Sequence, residues 1–211
     1  MKRRKSHGWT GRCALPISTS ASLNKPPSFV DLFFKAFLPS VIANGVAFEA
    51  HPQNTLARFD LQTRELKGFV IRDFGGLRVH PPSVIASTDL KTLDGIIDPN
   101  HSILADTTED VHTRLYHTLI HNHLQQLIRV LGLHYNGKGW GIVRRHLEAQ
   151  IPQDHELRKL WLSPETETLP GKCFMRMRLQ GMYRTVSHPL HSAVARSVTR
   201  FLSICTVHSQ I

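Results

Sequence analysis

Apolar side chains recur at three- and four-residue spacing between residues 28 and 44, at Phe29, Leu32, Phe33, Phe37 and Val41. That period predicts an amphipathic helix. Asn44-Gly45 supplies its stop, and Pro39 predicts a kink or break inside it. Two β-like runs follow at 54–59 and 67–72, separated by the polar stretch 60–65, and together they predict an antiparallel hairpin. With the turn centred between Thr63 and Arg64, Asn54 stands opposite Asp73. Residues 76–105 have no sustained period. A long helix is then predicted: Asp106 and Glu109 form a capping box, Val111, Leu115, Leu119, Leu127 and Leu131 mark one apolar face, and Gly132 ends it. Shorter helices are expected near 141–149 and 154–162, a loop over 163–171, and a strand or helix over 173–179. A basic amphipathic helix carrying Val194, Val198, Phe201 and Leu202 is expected after Pro189. No internal repeat is present. The mixture predicts an α+β fold with much helix.

The chain has 211 residues, 41% hydrophobic and 20% charged, a globular composition. No apolar run approaches the roughly 20 residues of a membrane span. Cys13, Cys173 and Cys205 are too few and too scattered for a disulfide framework or a CxxC metal motif, so a reducing, cytoplasmic setting is expected. The net charge of +10 first suggests a nucleic-acid or membrane-surface partner. Its distribution removes that suggestion. Residues 1–26 carry +6, residues 27–170 carry −2 and residues 171–211 carry +6. The body of the chain is not basic, so no nucleic-acid partner is expected. Residues 1–27 are predicted to form a basic disordered leader. They are rich in Ser, Lys and Arg and lack acids, as a transit peptide does.

The chemistry-bearing segment is Phe48-Glu-Ala-His51-Pro-Gln53-Asn54, followed by Arg72-Asp73-Phe-Gly-Gly76. The hairpin closes these two stretches onto one place. A carboxylate beside a Phe-Gly-Gly turn lets backbone approach a phosphate closely. An Asp together with an Asn oxygen suits Mg²⁺, and His51 can offer a proton or a hydrogen bond to a developing oxyanion. These parts describe half of a nucleotide–Mg²⁺ site. A tight hairpin whose polar ends cap each other is the alternative reading.

AFEAHPQNTLARFD followed by GFVIRDFGGLRVH resembles the C-terminal region of the NRPS-independent siderophore synthetases. This is the IucA/IucC, or aerobactin-synthetase, family, whose C-terminal region is also known as FhuF-like, or ferric iron reductase-like. The E-[AS]-H-x-Q-N and R-D-x-x-G stretches are both present. Leu115-Tyr-His-Thr-Leu-Ile-His-Asn-His-Leu124 resembles the family's palm-to-thumb helix, and Lys172-Cys-Phe-Met-Arg-Met-Arg178-Leu179 its K-x-x-x-x-M-R-L stretch. Ser187-His188-Pro189-Leu190 resembles its terminal N-P-L. The resemblance covers residues 28–190, leaving 191–211 as an unmatched basic tail. It implies a palm/thumb-like C-terminal domain. It also implies ATP- and Mg²⁺-dependent adenylation of a carboxylate, usually citrate, followed by displacement of AMP by an amine, hydroxylamine or alcohol. His51 would stabilise the reacting phosphorus or the acyl adenylate. Gln53 and Asn54 would contact the nucleotide, and Asp73 would meet ATP and its Mg²⁺. Lys172 and Arg178 would anchor the anionic substrate. A homodimer, or association with a full-length synthetase, is also implied.

Two departures shape the expectation. Pro52 stands where the family usually has Gly, and residues 1–26 do not resemble the family's serine/threonine- and arginine-rich phosphate grip. The chain is therefore expected to be a truncated C-terminal part, incomplete for catalysis alone. One alternative is a non-catalytic relic or pseudo-subunit. A ferric-iron reductase would need about four grouped cysteines for an iron–sulfur cluster. A kinase-like phosphotransferase is suggested by Asp73-Phe-Gly but lacks an upstream Gly-rich loop. His117, His121 and His123 invite a metal reading, but Thr118 stands where a zinc protease has Glu.

Overall fold

The computed structural model describes residues 28–166, 168–172, 178–179 and 187–191. Within them the fold is α+β, with helices packed around three separate two-stranded antiparallel sheets. The expected leader, most of the 173–179 segment and the expected helix after Pro189 lie outside the described residues, apart from the strand noted below.

Helix α1 (Phe29–Asn44) starts at Ser28, whose hydroxyl accepts the Asp31 N–H at 3.2 Å. It runs through Pro39, so Pro39 does not end it. Gly45 stops it in the left-handed region, at φ 64°, with its N–H on the Val41 carbonyl. Phe33, Phe34, Phe37, Leu38 and Val41 face the core. Strand β1 (Val46–Ala47) pairs with β4 (Arg78–Val79). Helix α2 (Pro81–Ser87) lies where no element was expected. It is short and starts with two prolines, so it leaves no readable period.

The hairpin forms from β2 (Thr55–Phe59) and β3 (Leu66–Ile71), but in a different register from the expected one. Thr55 faces Ile71, and Arg72 donates its N–H to the Asn54 carbonyl at 2.9 Å, so Asn54 faces Arg72 rather than Asp73. Two local features account for the shift. The Asp60 side chain accepts the Gln62 and Thr63 N–H groups, and Arg64 takes φ 60°, which together close the turn between Asp60 and Glu65. An irregularity between Arg58 and Phe59 then moves the pairing by one residue. One hairpin face packs on α1, where Phe69 meets Phe29 and Phe33 at ring-centroid distances of 5.2 and 5.1 Å.

The long helix is composite. Helix α3 (Thr108–Leu115) is capped by Thr107 on the Asp110 N–H, one residue later than the expected Asp106–Glu109 box. A π-helical segment, Tyr116–Leu124, follows, and helix α4 (Gln125–Val130) completes it. The π segment explains why the expected apolar face fails beyond Leu119. An added residue per turn shifts the buried stripe to Leu124 and Ile128, while Leu131 is exposed. Helices α5 (Lys138–Gln150) and α6 (Glu156–Leu162) bury Trp140, Val143, Leu147, Leu157 and Trp161. Strand β5 (Thr168–Lys172), which replaces the second half of the expected 163–171 loop, pairs with β6 (Ser187–His191).

Candidate functional site

His51 begins a tight turn with Pro52 in its second position. The Asn54 N–H closes it on the His51 carbonyl at 3.0 Å, and the Thr55 hydroxyl donates to the same oxygen at 3.1 Å. Proline presets the φ this position needs, so Pro52 serves the turn in place of the usual glycine. The turn leaves Gln53 exposed and folds Asn54 inward, to 4% exposure. The Asn54 amide nitrogen has no hydrogen-bond partner. A buried donor without an acceptor costs free energy, and an acceptor supplied at this turn would recover it.

The second stretch lies directly against the first. The Arg72 side chain donates Nε–H to the Gln53 carbonyl at 3.0 Å. The Phe74 ring meets Phe48 at 6.4 Å. Gly76 abuts Glu49 so closely that a Cβ there would overlap the Glu49 carboxylate. Between these contacts sits Asp73, in the left-handed region at φ 62°. One of its carboxylate oxygens accepts the Gly75 N–H at 3.1 Å. Asp73 is exposed. Its other oxygen is thus available to a hard cation, and one exposed carboxylate fits the way Mg²⁺ is commonly held, with phosphate oxygens and water completing the shell.

His51, Gln53, Asn54 and Asp73 are therefore brought onto one end of the hairpin. Of Lys172 only the backbone is described, and no described contact joins Arg178 to them. Lys172 ends β5 opposite Ser187, and Arg178 is exposed. Sequence reasoning passed over Glu49. It lies two residues before His51 and on the Gly76 contact, with its carboxylate 4.0 Å from the Arg114 guanidinium and both side chains largely buried. An acid two residues before His51 in the same motif was the available signal.

The loop ahead of His51 rests on the π segment, where His123 Nδ1 donates to the buried Ala50 carbonyl at 3.0 Å. Burial lowers the His123 pKa below its ordinary value; the Ala50 bond opposes this and the neighbouring His51 adds to it. His117 and His121 are buried, their ring centroids 5.9 Å apart. Burial pushes the His121 pKa down to about 4. Among the described residues no group of three or more His, Cys, Asp or Glu side chains is placed to hold a metal ion. Among them, too, no helix is long and apolar enough to cross a membrane.

Residues 28–187 match the family model described as "Ferric iron reductase FhuF-like transporter". The chain is 49% identical over 156 residues to the NRPS-independent siderophore synthetase rfs of Rhizopus delemar, covering 74% of this chain and 24% of that protein. It is 36% identical over 153 residues to the siderophore synthetase-like protein ankE of Aspergillus thermomutatus, covering 72% and 24%. Staphyloferrin A synthase of Staphylococcus aureus is 27% identical over 176 residues, covering 72% and 26%. The chain thus spans about a quarter of the length of these curated relatives. In fold it is similar to the petrobactin biosynthesis protein AsbB of Bacillus anthracis, with a TM-score of 0.56 and 18% identity over 84% of this chain and 32% of that one. The chain belongs to the FhuF-like family, and its relatives are NRPS-independent siderophore synthetases.

Proposed function

We propose that this chain carries the nucleotide-facing part of an ATP-dependent siderophore synthetase site. In the reaction, a carboxylate oxygen of a citrate-like acid attacks the α-phosphorus of ATP and pyrophosphate leaves. An amine, hydroxylamine or alcohol then attacks the acyl carbon and AMP leaves. The observation that carries this reading is the buried, unpartnered Asn54 amide on the His51 turn. An NH₂ donor held out of water has most to gain from a phosphate or nucleotide oxygen. Gln53 stands exposed on the same turn to share that contact. His51 faces the place where negative charge would develop, and a hydrogen bond aimed there stabilises the transition state more than the ground state. Asp73 would hold Mg²⁺, which when bound neutralises phosphate charge. Lys172 and Arg178 are proposed as anchors for the acid on the strength of the family resemblance.

Supporting the reading are the residue-by-residue match of both motifs and the ligase names of the Staphylococcus aureus relatives, staphyloferrin A synthase and D-ornithine–citrate ligase. The test is calorimetric titration of the 211-residue chain with ATP and magnesium. Binding that is lost in Asn54→Ala while the fold persists is the expected result. Binding that is indifferent to both Asn54→Ala and His51→Ala would overturn the reading.

A further inference from the structure

Three pairs of side chains in the π-helical segment stand five residues apart. The Tyr116 and His121 rings meet edge to face at 4.8 Å. The Asn122 amide nitrogen lies 3.3 Å from His117 Nε2. Thr118 and His123 both address the loop that leads into His51. Thr118 Oγ1 bonds within its own helix, 3.1 Å from the Arg114 carbonyl, and also lies 3.5 Å from the Phe48 carbonyl, while His123 donates to the Ala50 carbonyl at 3.0 Å.

In an α-helix, side chains five residues apart point roughly 140° away from each other, from 3.6 residues per turn. A regular α-helix could not aim Thr118 and His123 at one loop. Hydrogen bonds of the i→i+5 kind bring such residues into line, and the segment closes with one, from the Gln125 N–H to the Ile120 carbonyl. The rare register therefore produces the alignment.

His123 is well built for a fixed task. Its ring is braced edge-on by Phe33 at 4.4 Å and lies 6.2 Å from Phe29. A carbonyl only accepts, so Nδ1 carries the proton and the tautomer is set. Ala50 is fully buried, and its carbonyl stands one residue before His51.

We propose that the π-helical register of Tyr116–Leu124 is a positioning device for the His51 turn, and that His123 is the positioning residue through which it acts. The inference rests on the reading of His51 as the residue that faces the nucleotide. Holding the Ala50 carbonyl sets the direction in which the 51–54 turn leaves the buried loop, and so where His51 and Asn54 stand relative to each other.

The experiment uses the 211-residue chain labelled with ¹³C at histidine, as wild type, His123→Phe and His123→Asn, titrated with ATP and magnesium. Phenylalanine keeps an aromatic edge on Phe33 but has no donor. Asparagine places an N–H where Nδ1 stood. Expected is a single His51 ring signal in wild type that moves on adding nucleotide. In His123→Phe that signal broadens or splits before nucleotide is added, and affinity falls about tenfold, the scale of one lost hydrogen bond. In His123→Asn both return to near wild type. Where melting shows the Phe variant unfolded, His123→Met replaces it. An unchanged His51 signal in the donor-less variant overturns the inference, as does an Asn variant as impaired as the Phe variant. A wild type that binds no nucleotide overturns the functional reading alone, because the His51 signals of the free proteins still decide the positioning role.

Discussion

Arg72 ties the open end of the hairpin to the His51 turn twice, through its backbone N–H to the Asn54 carbonyl at 2.9 Å and through its side-chain Nε–H to the Gln53 carbonyl at 3.0 Å. The backbone bond survives any substitution except proline. The side-chain bond does not, and it holds the outer arm of the turn from a solvent-exposed position. Arg72→Gln should therefore leave the melting temperature nearly unchanged while weakening ATP affinity about tenfold, the scale of a charge-assisted hydrogen bond. Arg72→Lys should not restore it, because an ammonium does not reproduce the Nε–H direction. Calorimetric titration of both variants checks this; full affinity in Arg72→Gln would show that the side chain positions nothing.

Asn54 gives a sharper contrast, because amide and carboxylate have the same shape. In Asn54→Asp the buried donor becomes a buried acid, and ionising it without a partner is costly. Burial raises the folded-state pKa of such a carboxyl above its unfolded value. The variant should then be less stable than wild type by about 2–4 kcal/mol at pH 7. Much of that loss should return on acidification to pH 4, where the folded-state carboxyl is protonated and the unfolded one, with its ordinary pKa of about 3.9, is about half protonated. ATP binding at pH 7 should be abolished by repulsion from phosphate. Urea unfolding at the two pH values reads the first part, and equal destabilisation at both would mean that the site is open to water.

The hairpin, α1 and the motif cluster were legible because each is local. Alternating and helical periods act over a few residues, and the motif residues lie close to the strand ends that join them. The register was misjudged by one residue because the Asp60 turn and the Arg58–Phe59 irregularity depend on backbone geometry that no hydrophobic pattern encodes. The same holds for the long helix. Leu127 and Leu131 satisfy an α-helical period, but the π segment rotates the stripe onto Leu124 and Ile128. Nothing in Tyr116–Leu124 announces that register before the tertiary contacts are known. Glu49 was missed for a related reason, since its significance lies in a Gly76 contact that only the folded hairpin creates.

Two buried histidines should make stability depend on pH. Burial pushes both His112 and His121 down to about 4, although Glu156, 3.6 Å from His112, partly opposes this. Between pH 6.5 and pH 4 the unfolded chain takes up protons at these positions and the folded chain does not. Their contribution is fully present above pH 6.5 and declines as pH falls toward 4, by up to about 1.4 kcal/mol per pH unit for each group. Neither ring nitrogen of His121 has a hydrogen-bond partner. His121→Phe therefore sacrifices no bond. It should be as stable as wild type or more so at pH 7, and should lose stability less steeply below pH 6.5. Denaturation midpoints across pH 4–8 measure the slope, and an identical slope in the variant would assign the acid sensitivity elsewhere.

Adjacent glycines in the Asp73 turn should behave differently. A Cβ on Gly75 would approach the Asp73 carboxylate oxygen at 3.3 Å, and that side chain can swing aside. A Cβ on Gly76 would overlap Glu49, which is held beside Arg114 in a largely buried position and has little room to move. Gly76→Ala should thus destabilise by about 1–3 kcal/mol, as overpacking does. Gly75→Ala should cost less in stability but raise the magnesium concentration needed for nucleotide binding, because it disturbs the carboxylate proposed to hold the ion. The assignment of the Gly76 effect to Glu49 can be checked directly. Glu49→Ala removes the overlapping carboxylate, although its Cβ would still stand 2.9 Å from the new methyl group, and it leaves Arg114 without this carboxylate. The double variant Glu49→Ala/Gly76→Ala should therefore lose less stability than the two single variants summed, a departure from additivity that residues in contact show. Additive losses would mean that Gly76 is constrained by the turn backbone and not by the acid packed against it.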